Sequence, residues 1–403
     1  MVRRRMLSPE IAQAIVNRTM EILGKNVNLM NTEGMIIASG DKERVGTFHE
    51  GALKVIRTQQ KLEIWPRDVQ SMTGVRPGIN LPIRLNGEIV GVVGITGDPD
   101  EVRNYGELVR ITAELMIEQA LLKEQLEAEQ QAKEALLQDL IAGHFGRDYE
   151  MFKLRAFSLG LRLDVPMAAL VIEILSRGNE MDGGVSFYRL RKQVGELLQE
   201  LLKEGDVAGF ISDHRFVVFK NINPAQGGGV VESELKQYAR YLQAQLRERL
   251  GLAANIGIGS YHPGLEGLQA SFRECLTALQ LGRLRASTPF VFHIRDLALE
   301  EMISLVPPEV RQAFTGQVLR GLLTARDGEE LLKTMEKLFA ENLNLSSAAN
   351  ALYLHRNTLQ LRLRKIARLT GRDPRVFHEA VLLYIAYLCL KLDNSQFSSY
   401  QAP

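Results

Sequence analysis

The chain has 403 residues, of which 45% are hydrophobic and 24% are charged, and its formal net charge is +1. This length predicts two to four domains, and the near-zero charge excludes a general attraction to nucleic acid, so any such contact requires a local basic patch. The longest apolar run, residues 380–390, is far shorter than the ~20 residues of a membrane span. The basic residues near the start are not followed by an apolar stretch long enough for a signal peptide. We expect a cytoplasmic protein that does not contact membranes.

The first hundred residues combine helix and hairpin signals. A capped amphipathic helix is predicted from Ser8 to about Leu23, and a shorter one begins near His49. Two hairpins are predicted, the second at Asn86-Gly87, a strong two-residue turn signal. Their strands are residues 27–30, 35–38, 79–85 and 88–95. The pattern predicts a small antiparallel sheet with helices on one side, as in PAS-like sensor domains, and we assign it to residues 1–101.

A long helix is predicted next, because residues 106–140 contain no proline and are dominated by strong helix formers. Leucines recur at sevens at Leu108, Leu115 and Leu122. This spacing favours a signal-transmitting or dimerising helix over residues 102–142, although the series lapses in the polar run 127–134. A solvated linker helix without a partner is the alternative. We expect a break at Gly143 and Gly146.

The following region, residues 143–296, has the order β-α-β-β-α-β-α, which predicts an α+β sheet domain. Its predicted elements are residues 168–175, 187–204, a hairpin over 207–219 that turns at Ser212-Asp213, 253–260 and 265–284. Gly227 to Gly229 are interpreted as a loop. The two cysteines, Cys275 and Cys389, lie far apart and lack zinc-ligand spacing, so buried free thiols, and no metal or other cofactor, are expected.

From residue 297 the chain is predicted to be helical, and residues 345–359 have the pattern of a helix-turn-helix over the domain 297–394. Two helices that cross sharply need a small residue at their contact, and Ala349 provides it. Leu352, Leu354 and Leu359 provide the apolar anchors. Tyr353 occupies the turn, where glycine is common, so it must avoid a positive φ or accept modest strain.

The second helix is predicted to begin at His355 or Arg356 with a polar first turn. These are residue types that read base edges and bind phosphates in the major groove of duplex DNA. The candidate DNA-binding residues are Ser346, His355, Arg356, Asn357, Thr358, Gln360, Arg362, Arg364 and Lys365. A basic solvated helix in a helical bundle is the alternative. A protein-binding adaptor would leave the basic helix unexplained.

The run LHRNTL at residues 354–359, with the pairs at 362–363 and 365–366, resembles the C-terminal helix-turn-helix of the purine catabolism and sugar diacid regulators. The family usually has an aromatic residue at the position of Leu361. We assign this position to the packing face of the helix. Segments near the N-terminus resemble the sugar diacid recognition domain of the carbohydrate diacid regulator family; they are residues 37–41, 48–52, 78–82 and 94–99. The resemblance covers nearly the whole chain. It implies a bacterial regulator, usually an activator, of genes for using glucarate, galactarate or glycerate. A homodimer is the default expectation for a DNA reader of this kind.

A hydroxy-acid ligand needs cations or N–H donors for its carboxylate and polar groups for its hydroxyls. The candidate ligand-binding residues are Ser39, Asp41, Arg44, His49, Gly51, Arg76, Gly78, Asn80 and Thr96. In the alternative interpretation the glycines serve only turns and Asp41 only caps a helix. A regulator of the same architecture that senses another small metabolite, such as a purine-breakdown product, also remains open.

The middle region resembles the palm of a diguanylate cyclase, a GGDEF-type domain. Cyclase chemistry needs several carboxylates that hold metal ions. At the hairpin turn the signature glycines are missing, Arg215 stands where an acid is expected, and Glu173 is the surviving carboxylate. We therefore predict a degenerate domain and a protein that is not an enzyme.

Overall fold

The computed structural model describes residues 7–145, 149–175, 184–212, 214–286 and 289–394. The chain divides into two compact units, Met1–Gln131 and Ala132–Pro403. Gly146 and Asp213, which the sequence analysis placed at turns, lie outside the described residues.

The first unit is built on a five-stranded antiparallel sheet with strand order β2-β1-β5-β4-β3. Its elements are α1 (Pro9–Leu23), β1 (Val27–Met30), β2 (Ile36–Ser39), α2 (Glu50–Thr58), β3 (Leu62–Ile64), β4 (Gly78–Leu85), β5 (Glu88–Thr96) and α3 (Pro99–Ala142), which continues into the second unit. Both predicted hairpins and the capped first helix are confirmed. The short strand β3 was not predicted.

Helices cover both faces of this sheet, so the prediction that they lie on one side was wrong. One face packs Leu29 and Leu81 against Ile15 of α1 and Ile117 of α3. On the other face, Met30, Ile36 and Val92 pack against Ala52 and Val55 of α2. All four residues of β1 are buried, which is the consequence of this two-sided cover.

The second unit begins with an α+β region whose sheet order is β10-β9-β6-β8-β7. Its elements are α4 (Tyr149–Ser158), β6 (Met167–Leu175), α5 (Gly184–Leu201), β7 (Val207–Ser212), β8 (Arg215–Asn221), α6 (Gly228–Leu250), β9 (Ala253–Ile258), α7 (Gly264–Arg285) and β10 (Val291–His293). The predicted element order is confirmed from β6 to α7, whereas α4 was not predicted. Gly228 and Gly229 open helix α6, however, so their assignment to a loop was wrong, and β10, parallel to β9, was missed.

Residues beyond β10 are helical, as expected. The helices are α8 (Ala298–Ser304), α9 (Pro308–Leu323), α10 (Gly328–Ala340), α11 (Leu345–Ala351), α12 (Arg356–Thr370) and α13 (Phe377–Asn394). Their core includes Leu319, Met335, Leu363, Ile366 and Leu383. Cys275 and Cys389 are buried free thiols, as predicted. Within the described part of the chain, every helix is too short or too polar to cross a bilayer.

Candidate functional sites

Helices α11 and α12 form the two arms of a helix-turn-helix. Asn344 caps α11, since its Oδ1 accepts hydrogen bonds from the backbone N of Ser346 (3.0 Å) and Ser347 (3.1 Å). His355 caps α12 through its Nδ1, which accepts from the backbone N of Asn357 at 3.2 Å. These caps satisfy amide groups that would otherwise lack partners at helix starts. The side chains fix where each arm begins.

The turn between the two arms passes through Tyr353, whose φ is +55°. The backbone N of Tyr353 donates to the carbonyl of Asn350 at 3.0 Å, and the N of Leu354 donates to that of Ala349 at 2.9 Å. Of the two alternatives for Tyr353, the structure therefore adopts the strained one, which costs roughly 1–3 kcal/mol for a residue with a Cβ. Its side chain is 97% exposed and recovers none of this cost by packing.

The exposed face of α12 is basic and polar around one apolar residue. Leu359, Leu363 and Ile366 are fully buried, as predicted. Asn357, Arg364 and Arg368 are exposed on the opposite side. Leu361 lies among them and is 64% exposed, so its assignment to the packing face was wrong. The reason is geometric: two residues beyond buried Leu359 a helix has turned by about 200°.

Two of the candidate DNA-binding cations form ion pairs with acidic residues of the same domain. Arg362 forms an ion pair with Glu330 and donates to Oγ1 of Thr334 at 3.3 Å. The Nζ of Lys365 lies 2.6 Å from Oδ2 of Asp327. Among the other candidates, Gln360 is half-buried. The exposed ones include Ser346, His355, Arg356 and Thr358. Arg356, Arg364 and Arg368 have no ion-pair partner among the described residues, so their charges face solvent.

In the first unit, a row of small and polar residues crosses the sheet beneath α2. Asn28 of β1 pairs with Ser39 of β2 and with Gly94 of β5, and Gly94 pairs with Asn80 of β4. Residues directly opposite in antiparallel strands point to the same face. The Oγ of Ser39 donates to Oδ1 of Asn28 at 2.6 Å, and the Nδ2 of Asn28 lies 3.5 Å from Oγ1 of Thr96. We call Asn28, Ser39, Asn80 and Gly94 the polar row.

Asn80 is the member of the polar row that is left without a partner. It is 3% exposed, and its side-chain amide makes no hydrogen bond within the described part of the protein. A Cβ at Gly94 would lie 2.7 Å from the Oδ1 of Asn80, so glycine is what makes room for this amide. The amide thus has no partner among the described residues to give up when a molecule binds. Asn80 is therefore available to a bound molecule.

His49 is the N-cap of α2, the helix that packs on this face of the sheet. Its Nδ1 accepts from the backbone N of Ala52 at 3.1 Å, and the ring is 3% exposed. Burial, helped by the charge of Arg44, lowers the pKa of His49 to about 4. The ring is thus neutral at pH 7, and because Nδ1 accepts, the proton resides on Nε2, which becomes an N–H donor. A Cβ at Gly51 would lie 2.8 Å from Cδ1 of Ile64, so glycine lets the first turn of α2 approach β3.

The pKa of His49 predicts a pH dependence of stability. Because the pKa is lower in the folded than in the unfolded chain, the folded unit loses stability as pH falls from about 6.5 to 4, by about 3 kcal/mol in total, and changes little more below that. Urea unfolding followed by the fluorescence of Trp65, the single tryptophan, measures this. His49→Asn, which retains a capping side chain that does not titrate, should remove this part of the dependence. An equally steep loss in that variant would contradict it.

The remaining ligand candidates surround the loop before β4. Arg44 is buried, and its Nη2 donates to the carbonyl of Gly74 at 2.6 Å. Arg76 pairs with Oδ2 of Asp41 at 3.0 Å, while Oδ1 of Asp41 accepts from the backbone N of Glu43 at 3.3 Å. Asp41 therefore caps the short 3-10 helix Lys42–Arg44.

Gly78 opens β4 opposite Thr96. A Cβ there would come within 2.0 Å of the carbonyl oxygen of Ile95, so this glycine serves close strand packing.

Sequence reasoning missed Asn28, Gly74 and Gly94. A lone asparagine in the apolar strand VNLM was the available signal for Asn28, because buried polar residues need a reason. Nothing local marked Gly94 as the neighbour of Asn80.

In the α+β region, the surviving carboxylate is bound by arginines. Oε1 of Glu173 accepts from Nη2 of Arg215 at 2.7 Å, and Oε2 accepts from Nη2 of Arg283 at 2.5 Å. Burial alone would raise the pKa of Glu173, but the hydrogen bonds from Arg283 and Arg215 outweigh it and lower the pKa. Arg215, which stands where a cyclase would have an acid, thus neutralises Glu173.

Comparison with known proteins agrees with this arrangement. Three family descriptions match: putative sugar diacid recognition over residues 7–140, a GGDEF-like domain over 142–281, and a PucR C-terminal helix-turn-helix domain over 331–389. These domains define a transcription regulator that carries a DNA-binding helix-turn-helix.

The chain is 32% identical to the carbohydrate diacid regulator of Escherichia coli (strain K12), over 97% of this chain and 99% of that protein. It belongs to the carbohydrate diacid regulator family. It is also 30% identical to an uncharacterized protein of Haemophilus influenzae, over 94% of this chain and 97% of that one. The purine catabolism regulatory protein of Bacillus subtilis is 25% identical over 65% of this chain and 49% of its own length.

Proposed function

We propose that this regulator senses a sugar diacid or glycerate in the cytoplasm and activates genes for using that compound. The observation that carries the proposal is the amide of Asn80, a residue that is 3% exposed, which hydrogen-bonds no other described residue and lies in the space left by Gly94. The name of the E. coli relative supports the ligand class. No catalytic step is part of this function, since both oxygens of Glu173 are bound by arginines.

The N-terminal domain, residues 1–101, is in our proposal a PAS-like sensor. A five-stranded antiparallel sheet of order β2-β1-β5-β4-β3, with α2 across one face, supports it. The further domains are a signalling helix over 102–142, a degenerate GGDEF-like domain over 143–296 and the DNA-binding domain over 297–394. Ligands bind in this sensor between α2 and the sheet, where the polar row lies.

The ligand's carboxylate is bound by neutral donors near a positive charge. The Nε2–H of His49 and the amide of Asn80 donate to it, and the buried guanidinium of Arg44 supplies the charge. Gly51 lies in the first turn of α2, where it approaches Ile64 of β3. Ile64 pairs with Gly78 of β4, two residues before Asn80. Hydroxyl groups of the ligand exchange hydrogen bonds with Ser39 and Thr96. Charge-assisted hydrogen bonds of this kind are the strong ones.

Thermal unfolding of the full chain with glucarate, galactarate, glycerate, tartrate and allantoate tests the sensor. A ligand at a hundred times its Kd adds about 2.7 kcal/mol to stability, which raises the melting temperature measurably. We expect a shift with a sugar acid, its loss in Asn80→Ala, and its retention in Asn17→Ala, a control on the exposed side of α1. A shift with allantoate alone would favour a purine-breakdown ligand. No shift with any acid would reject the diacid sensor and leave DNA binding unaffected.

We also propose a homodimer formed through α3. Five exposed apolar residues follow one side of this helix: Leu108, Ile111, Leu115, Leu122 and Leu126. Their spacing of three, four and seven residues matches a helix–helix seam, and a second copy of the chain presents the same stripe. This spacing supports the dimerising interpretation over a solvated linker.

Sedimentation measures the assembly. We expect a dimer that becomes monomeric when Leu115 and Leu122 are both replaced with lysine, because the charges would repel across the seam. Lysines in place of Glu124 and Ala128, on the opposite side of α3, should leave the dimer intact. A monomeric wild type, or a dimer that survives the stripe variant, would contradict the assignment.

A further inference from the structure

An apolar side chain lies in the middle of the solvent-facing, basic side of α12. Leu361 is 64% exposed, with Asn357 one turn before it and Arg364 and Arg368 on the following turns. Successive residues rotate by about 100°, which places Leu361 almost opposite the buried direction defined by Leu359, Leu363 and Ile366. It is therefore central to the face that a recognition helix presents to DNA.

Folding gives no reason for a leucine at this position. The core beneath α12 is filled by Leu359, Leu363 and Ile366, each fully buried. Lysine, glutamine or arginine would support the helix about equally well and would hydrate better. A mostly exposed leucine contributes little to stability, so its apolar surface becomes useful when it is covered.

We propose that Leu361 recognises a thymine by contact with its C5 methyl group. The inference rests on the proposal that α12 is the helix that enters the major groove. Among base edges in that groove, the thymine methyl is the apolar feature, and aliphatic side chains contact it. The neighbouring cations hold phosphates, which position the helix but do not read sequence.

The spacing on α12 also locates the thymine within the binding site. Asn357 and Leu361 are four residues apart, a rise of about 6 Å along the helix. Base pairs are stacked about 3.4 Å apart, so the two side chains reach bases within about two steps of each other. Asparagine pairs favourably with adenine through N6 and N7. We therefore expect an adenine and a thymine, at most about two positions apart, in each half-site.

Substitution of thymine by deoxyuridine tests the contact, because this change removes the methyl group and keeps base pairing. The operator is first selected from random duplexes with the full-length wild-type chain. Each thymine is then replaced singly, and Kd is measured by fluorescence anisotropy at fixed salt. We expect one replacement per half-site to weaken wild-type binding about fourfold, the value of one buried methyl group.

In Leu361→Ala, that same replacement should change Kd by less than about 1.5-fold, because the methyl group has lost its contact. Leu305→Ala is the matched control: Leu305 is an exposed leucine outside α12, and this variant should keep the full response. Equal melting temperatures establish that both variants fold.

Two results would overturn the proposal. Either no thymine responds to loss of its methyl group in the wild type, or the same thymine responds equally in Leu361→Ala. A change in the sedimentation of Leu361→Ala with an unaltered deoxyuridine response would assign the residue to a protein contact instead. If the wild type shows no salt-dependent DNA binding at all, the proposed function fails with it, and this outcome is distinct from binding that is insensitive to the methyl group.

Discussion

Replacement of Arg356, Arg364 and Arg368 together with alanine is expected to weaken binding to the selected operator on the order of 100-fold for each half-site that is occupied, if each contact contributes about 1 kcal/mol. The three guanidinium groups are exposed on α12 and have no ion-pair partner among the described residues, so they are free to bind phosphates. Their removal should also reduce the slope of log K against log salt by about 2.7 for each half-site, or about 5.4 for the proposed dimer, since each phosphate contact accounts for about 0.9. Anisotropy titrations between about 50 and 200 mM salt measure both effects.

The control carries the same loss of charge elsewhere in the same domain. Arg320, Lys333 and Lys337 are exposed cations on α9 and α10. Their replacement with alanine should leave the salt slope within about 0.5 of the wild-type value, since they make no phosphate contact. Equal losses in the two triple variants would mean that net charge, and not the face of α12, drives binding.

The second large effect is expected from Gly74→Ala, which should destabilise the first unit by about 3 kcal/mol or more. Gly74 has φ +71°, and a Cβ there would lie 1.9 Å from the carbonyl oxygen of Phe48, which is backbone and cannot rotate away. The carbonyl of Gly74 also accepts the hydrogen bond from Arg44, so the guanidinium would move with the loop. Urea unfolding followed at Trp65 measures the loss.

Gly46→Ala separates this clash from backbone strain. Gly46 has a similar φ of +83°, but a Cβ there would meet nothing within 4 Å. We expect a loss of only about 1–2 kcal/mol from the left-handed conformation. If the two variants lose the same stability, the contact with Phe48 is not the cause.

The parts of the fold that were predicted correctly are those with strong local signals. The cap at Ser8 and the turn Asn86-Gly87 each fix an element through neighbouring residues alone. Strand β3 was missed because Leu62-Glu63-Ile64 is too short to display a period. The packing of helices on both faces of the sheet could not be predicted from local sequence, because it depends on which face α2 and α3 pack against after folding.

The features of the candidate sites also divide into those that local sequence could predict and those that depend on distant residues. The outward position of Leu361 could have been derived from helical geometry alone, but the resemblance led to its assignment to the packing face. The roles of Arg362 and Lys365 could not, because their partners Glu330 and Asp327 lie more than thirty residues earlier in the chain. Likewise the neutral state of His49 comes from burial under α2, which only the folded unit supplies.

The unpartnered amide of Asn80 has a consequence for how this protein can evolve. An apolar side chain of similar size would suit this mostly buried position better, because an amide there loses most of its contact with water and gains no hydrogen bond from the described protein. Selection for thermostability alone would therefore remove Asn80. On our proposal that Asn80 binds the ligand, selection for responsiveness retains it, and the stability that the unit lacks is free energy that the ligand restores on binding.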